Sequence, residues 1–161
     1  MKKNKQNPKC KYDSTKENLI HIKKVNDLLL NVVSKLLLRA KNHDSTKLVY
    51  PEKEVFDKFV PKLKHCIYGS KEYKEHLKGM GKGLEHHYRN NSHHPEHYER
   101  GINGFDLFDL TEMLCDWMAA TEKHKDGNNI WDSLNINAKR FNISEQLCDI
   151  LRNTVNTIHN K

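Results

Sequence analysis

Apolar residues recur every three to four positions along most of this chain, and that spacing predicts helices almost everywhere. Ser14-x-x-Glu17 reads as a capping box that opens a run with Leu19, Ile22, Val25, Leu29, Val32, Leu36 and Ala40 on one broad stripe, continuing to about Lys41. After Asn42-His43-Asp44-Ser45-Thr46-Lys47, Pro51 stands where a second helix begins, with Val55, Phe56 and Phe59 as its apolar face. Pro61 is expected to end or kink it. Tyr68-Gly69-Ser70 punctuates the chain, and Ser70 is placed to cap a helix from Lys71. A hinge follows at Gly79-Met80-Gly81-Lys82-Gly83, then helix from Leu84 to Asn90, a turn with a restart around His94, and a loop bracketed by Gly101 and Gly104. Phe105 to Lys123 is the most strongly helical stretch. Gly127-Asn128-Asn129 breaks it, and two shorter helices follow, Ile130 to Arg140 and, behind Ser144, Glu145 to Ile158. No segment reads as strand. The expectation is an all-α, single-domain helical bundle.

Composition refines this picture in three places. The net charge of +7 over 161 residues is weighted toward Lys2, Lys3, Lys5, Lys9 and Lys11, so residues 1–13 read as a disordered basic tail and 14–161 as the helical domain. The remainder is mildly basic, which suits an anionic small molecule. Nucleic acid is not expected as a partner, because no recognition motif or alternation of basic and aromatic residues appears. Cys10, Cys66, Cys115 and Cys148 are scattered without a C-x-x-C spacing and read as free thiols of a reducing compartment. With no spanning segment and no leader, a cytoplasmic protein is expected.

Histidine is where chemistry enters. Seven of eleven histidines fall between His65 and His97, including the pairs His86-His87 and His93-His94. Imidazole and carboxylate together are a usual ligand set for Zn, Fe, Mn, Co or Ni. Asp109, Glu112 and Asp116 are spaced i, i+3, i+7, so they share a face of their helix, and buried carboxylates need partners or an ion. A solvated acidic face is the ordinary alternative. Of the middle histidines, one of His86 and His87 and then His94 are the favoured ligands, while His65, His76 and His124 are placed at the surface. Residues 93–97, His-His-Pro-Glu-His, also fit a loop closing over a pocket. Arg89 and Asn90 are candidates for contacting a substrate.

With His43-Asp44 followed by Lys47, and Asp116 within Leu114-Cys115-Asp116-Trp117-Met118-Ala119-Ala120, the chain resembles the HD-domain superfamily, whose pattern is H…HD…D with H-D-x-x-K frequent in its phosphohydrolases. The resemblance runs from about Glu17 to Ala120, and the chain looks like a small phage and bacterial group with this signature. It implies one or two divalent transition-metal ions, with His86, His87, His93 and His94 as the histidines that a binuclear branch adds, and with His21, His43, Asp44, His86, His87, His94 and Asp116 as the ligand candidates. It further implies a metal-dependent phosphohydrolase acting on a nucleotide or related phosphate ester. Asp44, Lys47 and Glu112 then form the catalytic set, Glu112 as general base or as a brace, and Lys47, Arg89 and Asn90 meet the substrate. Two alternatives remain open, a di-iron oxygenase of HD type and a non-catalytic module that binds a nucleotide or a protein; a homodimer is also left open. One element strains the pattern. His21 and His43 are 22 residues apart, about 33 Å along a straight helix, so they meet only if the helix turns back near Asn31.

Overall fold

The computed structural model describes residues 12–67, 69–122 and 129–159, and everything described is helix, turn or loop. The basic tail before residue 12, Tyr68, His124 and residues 127 and 128 of the expected break lie outside the described residues. Six α-helices follow one another: α1 (Thr15–Asn42), α2 (Glu52–Leu63), α3 (Lys71–Asn90), α4 (Leu107–Glu122), α5 (Ile130–Arg140) and α6 (Glu145–His159). Short 3₁₀ turns lie at Ser45–Leu48, Pro95–His97 and Gly101–Gly104. The all-α class expected from periodicity is what the protein shows. No described helix is long and apolar enough to cross a membrane.

The chain divides into two compact units, Met1–Leu38 and Arg39–Lys161. The described part of the first unit consists of α1 as far as Leu38 and the few residues before it. Its helix starts at Thr15, where the capping box predicts, and the Ser14 carbonyl accepts the Asn18 N–H at 2.9 Å, but the side chain that takes a first-turn N–H is Asp13, whose Oδ1 accepts from Thr15 at 3.0 Å. α1 then runs unbroken through Asn31 to Asn42, so the turn that would bring His21 back does not form. With no Gly or Pro in the run, nothing offsets the loss of the helical hydrogen bonds that such a turn requires. His21 lies about six helical turns before the C-terminal end of α1.

In the second unit two packing centres hold the helices. Leu114 on α4, Ile130 and Leu134 on α5, and Leu151 and Val155 on α6 form a buried cluster, with Leu110, Trp117, Met118 and Leu147 against it. The Trp117 and Phe141 rings stack over its edge, 6.2 Å between centroids. Caps set where these helices begin. The Asn129 side chain accepts from the Trp131 and Asp132 N–H groups at the start of α5, and Asp106 does the same for Phe108 and Asp109 at the start of α4. α4 consequently begins at Leu107, two residues later than the periodicity predicts.

The second centre is α2 against α3. Pro61 sits in the last turn of α2, where the helix continues to Leu63. The hinge expected in the glycine-rich stretch is at Gly81, whose φ of 46° and ψ of −125° interrupt α3. Gly83 serves a different purpose: a Cβ there would come within 2.6 Å of Val55 Cγ2. α2 therefore approaches α3 backbone to side chain. Gly83→Ala is expected to force the helices apart and lower stability by about 1–3 kcal/mol, measured as a reduced urea midpoint with an unchanged m-value.

Candidate metal centre

Three elements of the second unit deliver the donors. After α1 ends, Asp44 takes a left-handed conformation (φ 54°, ψ 16°), which aspartate adopts more readily than most residues. That reversal lets two sequence neighbours, His43 and Asp44, serve one site. α3 carries His87 in its last turn and His86 just before it. Beyond it the backbone becomes extended at Asn91 and again at His94, so His93 and His94 do not follow helical phase, and their rings lie 4.2 Å apart. α4 carries Asp109, Glu112 and Asp116.

Asp44, His87, His93 and His94 bring one ligand atom each to within 4.8 Å of one another. The His87 Nε2 and His93 Nε2 atoms each stand 3.5 Å from Asp44 Oδ1, and His87 Nε2 lies 2.8 Å from His94 Nε2. Asp44 Oδ1 and His93 Nε2 are buried and have no hydrogen-bond partner. Buried polar atoms are rarely left so, because each costs about 1–3 kcal/mol. The other oxygen of Asp44 faces a second group: His43 Nε2 is 3.4 Å from Asp44 Oδ2 and 3.6 Å from Asp116 Oδ1. These three also form a cluster of ligand reach. Asp44 is the residue common to both.

Behind the imidazoles stand two carboxylates. Glu52, fully buried at the start of α2, lies against His87 Nδ1 at 2.9 Å and His86 Nδ1 at 2.7 Å, and accepts the Thr46 hydroxyl at 2.9 Å. Glu112 Oε1 lies against His43 Nδ1 at 2.8 Å and His93 Nδ1 at 3.1 Å, while its Oε2 accepts Arg39 Nε at 2.6 Å. A carboxylate on Nδ1 holds the proton there and leaves the Nε2 lone pair pointing inward, as metal-bound histidine requires. Burial works to raise the Glu112 pKa, but the hydrogen bonds from His43 and His93 and the charge of Arg39 outweigh it and hold the group well below the usual carboxylate range. Asp116 and Glu112 raise His43 to about 10. His94 goes the other way: burial first, then the neighbouring His93 and His87, push it down to about 2. Burial and the charge of Lys47 lower His87 as well. His87 and His94 are therefore neutral donors at physiological pH.

Asp109 has a structural part. It is buried, and it accepts from Arg39 Nη2 and Ser92 Oγ at 2.6 Å each and from the Tyr98 hydroxyl at 2.7 Å. Arg39 thereby clamps Asp109 and Glu112 together. Of the residues singled out from sequence, His43, Asp44, His87, His94 and Asp116 converge. His21 is exposed and belongs to no ligand cluster among the described residues. His86 turns to Glu52, outside the four-donor group, and Asn90 hydrogen-bonds the His86 carbonyl at 2.8 Å. Arg89 is exposed. Lys47 is paired with Asp44 Oδ2 and lies 5.0 Å over the Phe56 ring. Glu112, filled by three donors and held at low pKa, braces histidines and is not suited to take a proton. His65 is exposed as expected, whereas His76 is half-buried beside Phe59. It groups there with Glu72 and with Cys66, whose thiol is 3.4 Å from the Lys62 carbonyl.

Glu52 escapes sequence reasoning, and His93 enters only among the histidines that the resemblance adds, behind His94. His93 was masked by its neighbour, since helical phase separates adjacent residues and only the extended backbone reunites them. Glu52 looks like any acidic residue in a first helical turn, and no signal in the sequence marks it as buried.

The second unit is thus an all-α scaffold around a nitrogen-rich cluster of donors with buried carboxylate braces. The chain belongs to the family described as "Family of unknown function (DUF5662)", which matches residues 10–157. No curated protein and no solved structure matches it.

Proposed function

We propose that this centre holds one or two divalent transition-metal ions and that the protein is a metal-dependent phosphohydrolase acting on a nucleotide or related phosphate ester. The observation that carries the metal is the pair of orphaned, buried atoms, Asp44 Oδ1 and His93 Nε2, facing each other among further imidazole nitrogens. A cation satisfies both atoms at once. The donor set fits: His87, His93, His94 and Asp44 Oδ1 would hold one ion, and His43, Asp116 and Asp44 Oδ2 a second. Three nitrogens favour Zn, Fe, Co, Ni or Mn over Mg or Ca. A divalent ion there supplies an acidified water and a charge that polarises a phosphoryl oxygen.

The chain's own residues supply the rest. Glu52 and Glu112 keep protons on Nδ1 of His87 and His93, so their Nε2 lone pairs remain available, whereas His43, raised to about 10 by Asp116 and Glu112, would have to give up its Nε2 proton to the ion. Lys47 places an ammonium beside Asp44, where a substrate phosphate needs its charge offset. Hydrolysis of phosphate esters rests on the H-D-x-x-K resemblance together with this pairing. The test is metal analysis of untagged protein, followed by phosphate release from nucleoside mono-, di- and triphosphates after loading with Mn, Co or Fe. Stoichiometric metal with turnover is the expected result. Metal without turnover on any of these substrates overturns the hydrolase, and oxygen uptake by the iron-loaded protein would put the di-iron oxygenase in its place. No metal after reconstitution leaves the binding module.

A further inference from the structure

α1 presents an apolar surface, and the described residues of the first unit include nothing that covers it. Eleven large aliphatic side chains of this helix are exposed, Leu29 by 58% and Ile22 by 61%. Scattered exposed leucines are ordinary, and Ile20 and Leu38 point away from the rest, but the other nine lie within about 100° of Leu29, and a continuous apolar face on one helix marks an interaction surface. Its pattern says what kind. Counting outward from Leu29, close to the middle of α1, apolar residues stand at equal steps on either side: Val25 and Val33 at four, Ile22 and Leu36 at seven. At 100° per residue, these five lie within about 80° of one another around the helix.

A face that reads the same in both directions is self-complementary under a two-fold axis. We infer that α1 pairs with α1 of a second copy of this chain, antiparallel, with the two-fold axis passing at Leu29. In that arrangement Ile22 packs level with the partner helix's position 36, Val25 with its position 33, and Leu29 with itself. Size agrees. A half-exposed Leu, Ile or Val offers roughly 40–50 Å² of apolar surface. Burying most of the face in both copies, with polar flanks, covers on the order of 1,200 Å², the lower edge of the range for stable interfaces.

The experiment is sedimentation equilibrium of the full chain at micromolar concentration, beside Leu29→Lys, with circular dichroism as the folding control. A dimer that becomes a monomer with unchanged helicity is expected, because the substitution sets two ammonium groups together on the axis. Cysteine cross-linking, read against the wild-type level, gives an answer even if that variant does not fold. Leu29→Cys should form a disulfide-linked dimer under mild oxidation. Ile22→Cys alone should not, since its mate lies about 21 Å away along the pair. A wild-type monomer overturns the inference, as does cross-linking of Ile22→Cys as efficient as that of Leu29→Cys, which would mean a parallel pair. A monomer that binds phosphatidylserine vesicles would assign the face to a membrane surface instead.

Discussion

Asp44→Asn should abolish binding at both halves of the centre while the protein stays folded. Asparagine tolerates the left-handed backbone (φ 54°) that Asp44 occupies, so the substitution removes charge without forcing the turn open. Asp44→Ala is the harsher variant, since it adds a backbone penalty of about 1–2 kcal/mol. What is lost is the one carboxylate that faces both clusters, Oδ1 toward His87 and His93 and Oδ2 toward His43. We expect each ion's affinity to fall on the order of 10²-fold or more, because a neutral amide oxygen replaces an anionic donor and the remaining histidines carry no compensating charge. Two measurements check it. Elemental analysis after reconstitution should show stoichiometric metal in the wild type and little in the variant. Thermal melts should show the linkage directly: metal at 1,000 times its Kd stabilises the folded state by about 4 kcal/mol, an increment the variant should lack. An unaltered metal content in Asp44→Asn would remove this residue from the centre and the proposed function with it.

The same residue marks how far the sequence could be read. His43-Asp44 and Asp116 were visible because adjacency and a helix-face spacing survive translation into structure without knowledge of the packing. His87 was visible as one of a pair, and its helical setting made it the inward member. His93 stands only among the histidines that the resemblance adds, because choosing it as a ligand requires knowing that the backbone leaves the helix at Asn91 and is extended at His94. His21 fails for the opposite reason. Local propensity kept α1 continuous, and a resemblance drawn from spacing had nothing physical to bend it. Asp109 shows the limit of the buried-carboxylate argument. Its burial follows in kind from the spacing, but of its partners Arg39, Ser92 and Tyr98 the charged one lies 70 residues away in sequence, with no periodicity to announce it. The helices themselves are legible nearly throughout, since most starts depend on a capping side chain within a few residues and α2 on Pro51.

The second large effect concerns Glu112, which stands outside the two groups proposed to hold ions, forms a further cluster with His43 and His93 through their Nδ1 atoms, and so braces one histidine in each. Its Oε1 faces Nδ1 of both His43 and His93, and its Oε2 accepts from Arg39. Glu112→Gln keeps the shape but not the pattern of acceptors. If the amide oxygen stays with the histidines, the NH₂ group meets the Arg39 guanidinium donor against donor. If it turns, NH₂ faces both Nδ1 atoms, which must then become acceptors, and the protons move to the Nε2 atoms that point at the ions. Either way the cost is shared by the two halves. Metal affinity should fall about 10–100-fold at both together, whereas Asp116→Asn, which touches the His43 group, should weaken chiefly that half. Isothermal titration with Mn or Zn distinguishes the cases by whether one or two binding steps shift. Equal binding by Glu112→Gln and the wild type would mean that the histidines hold their orientation without the brace. A shift confined to one step would mean that the two halves are built independently, despite the carboxylate they share.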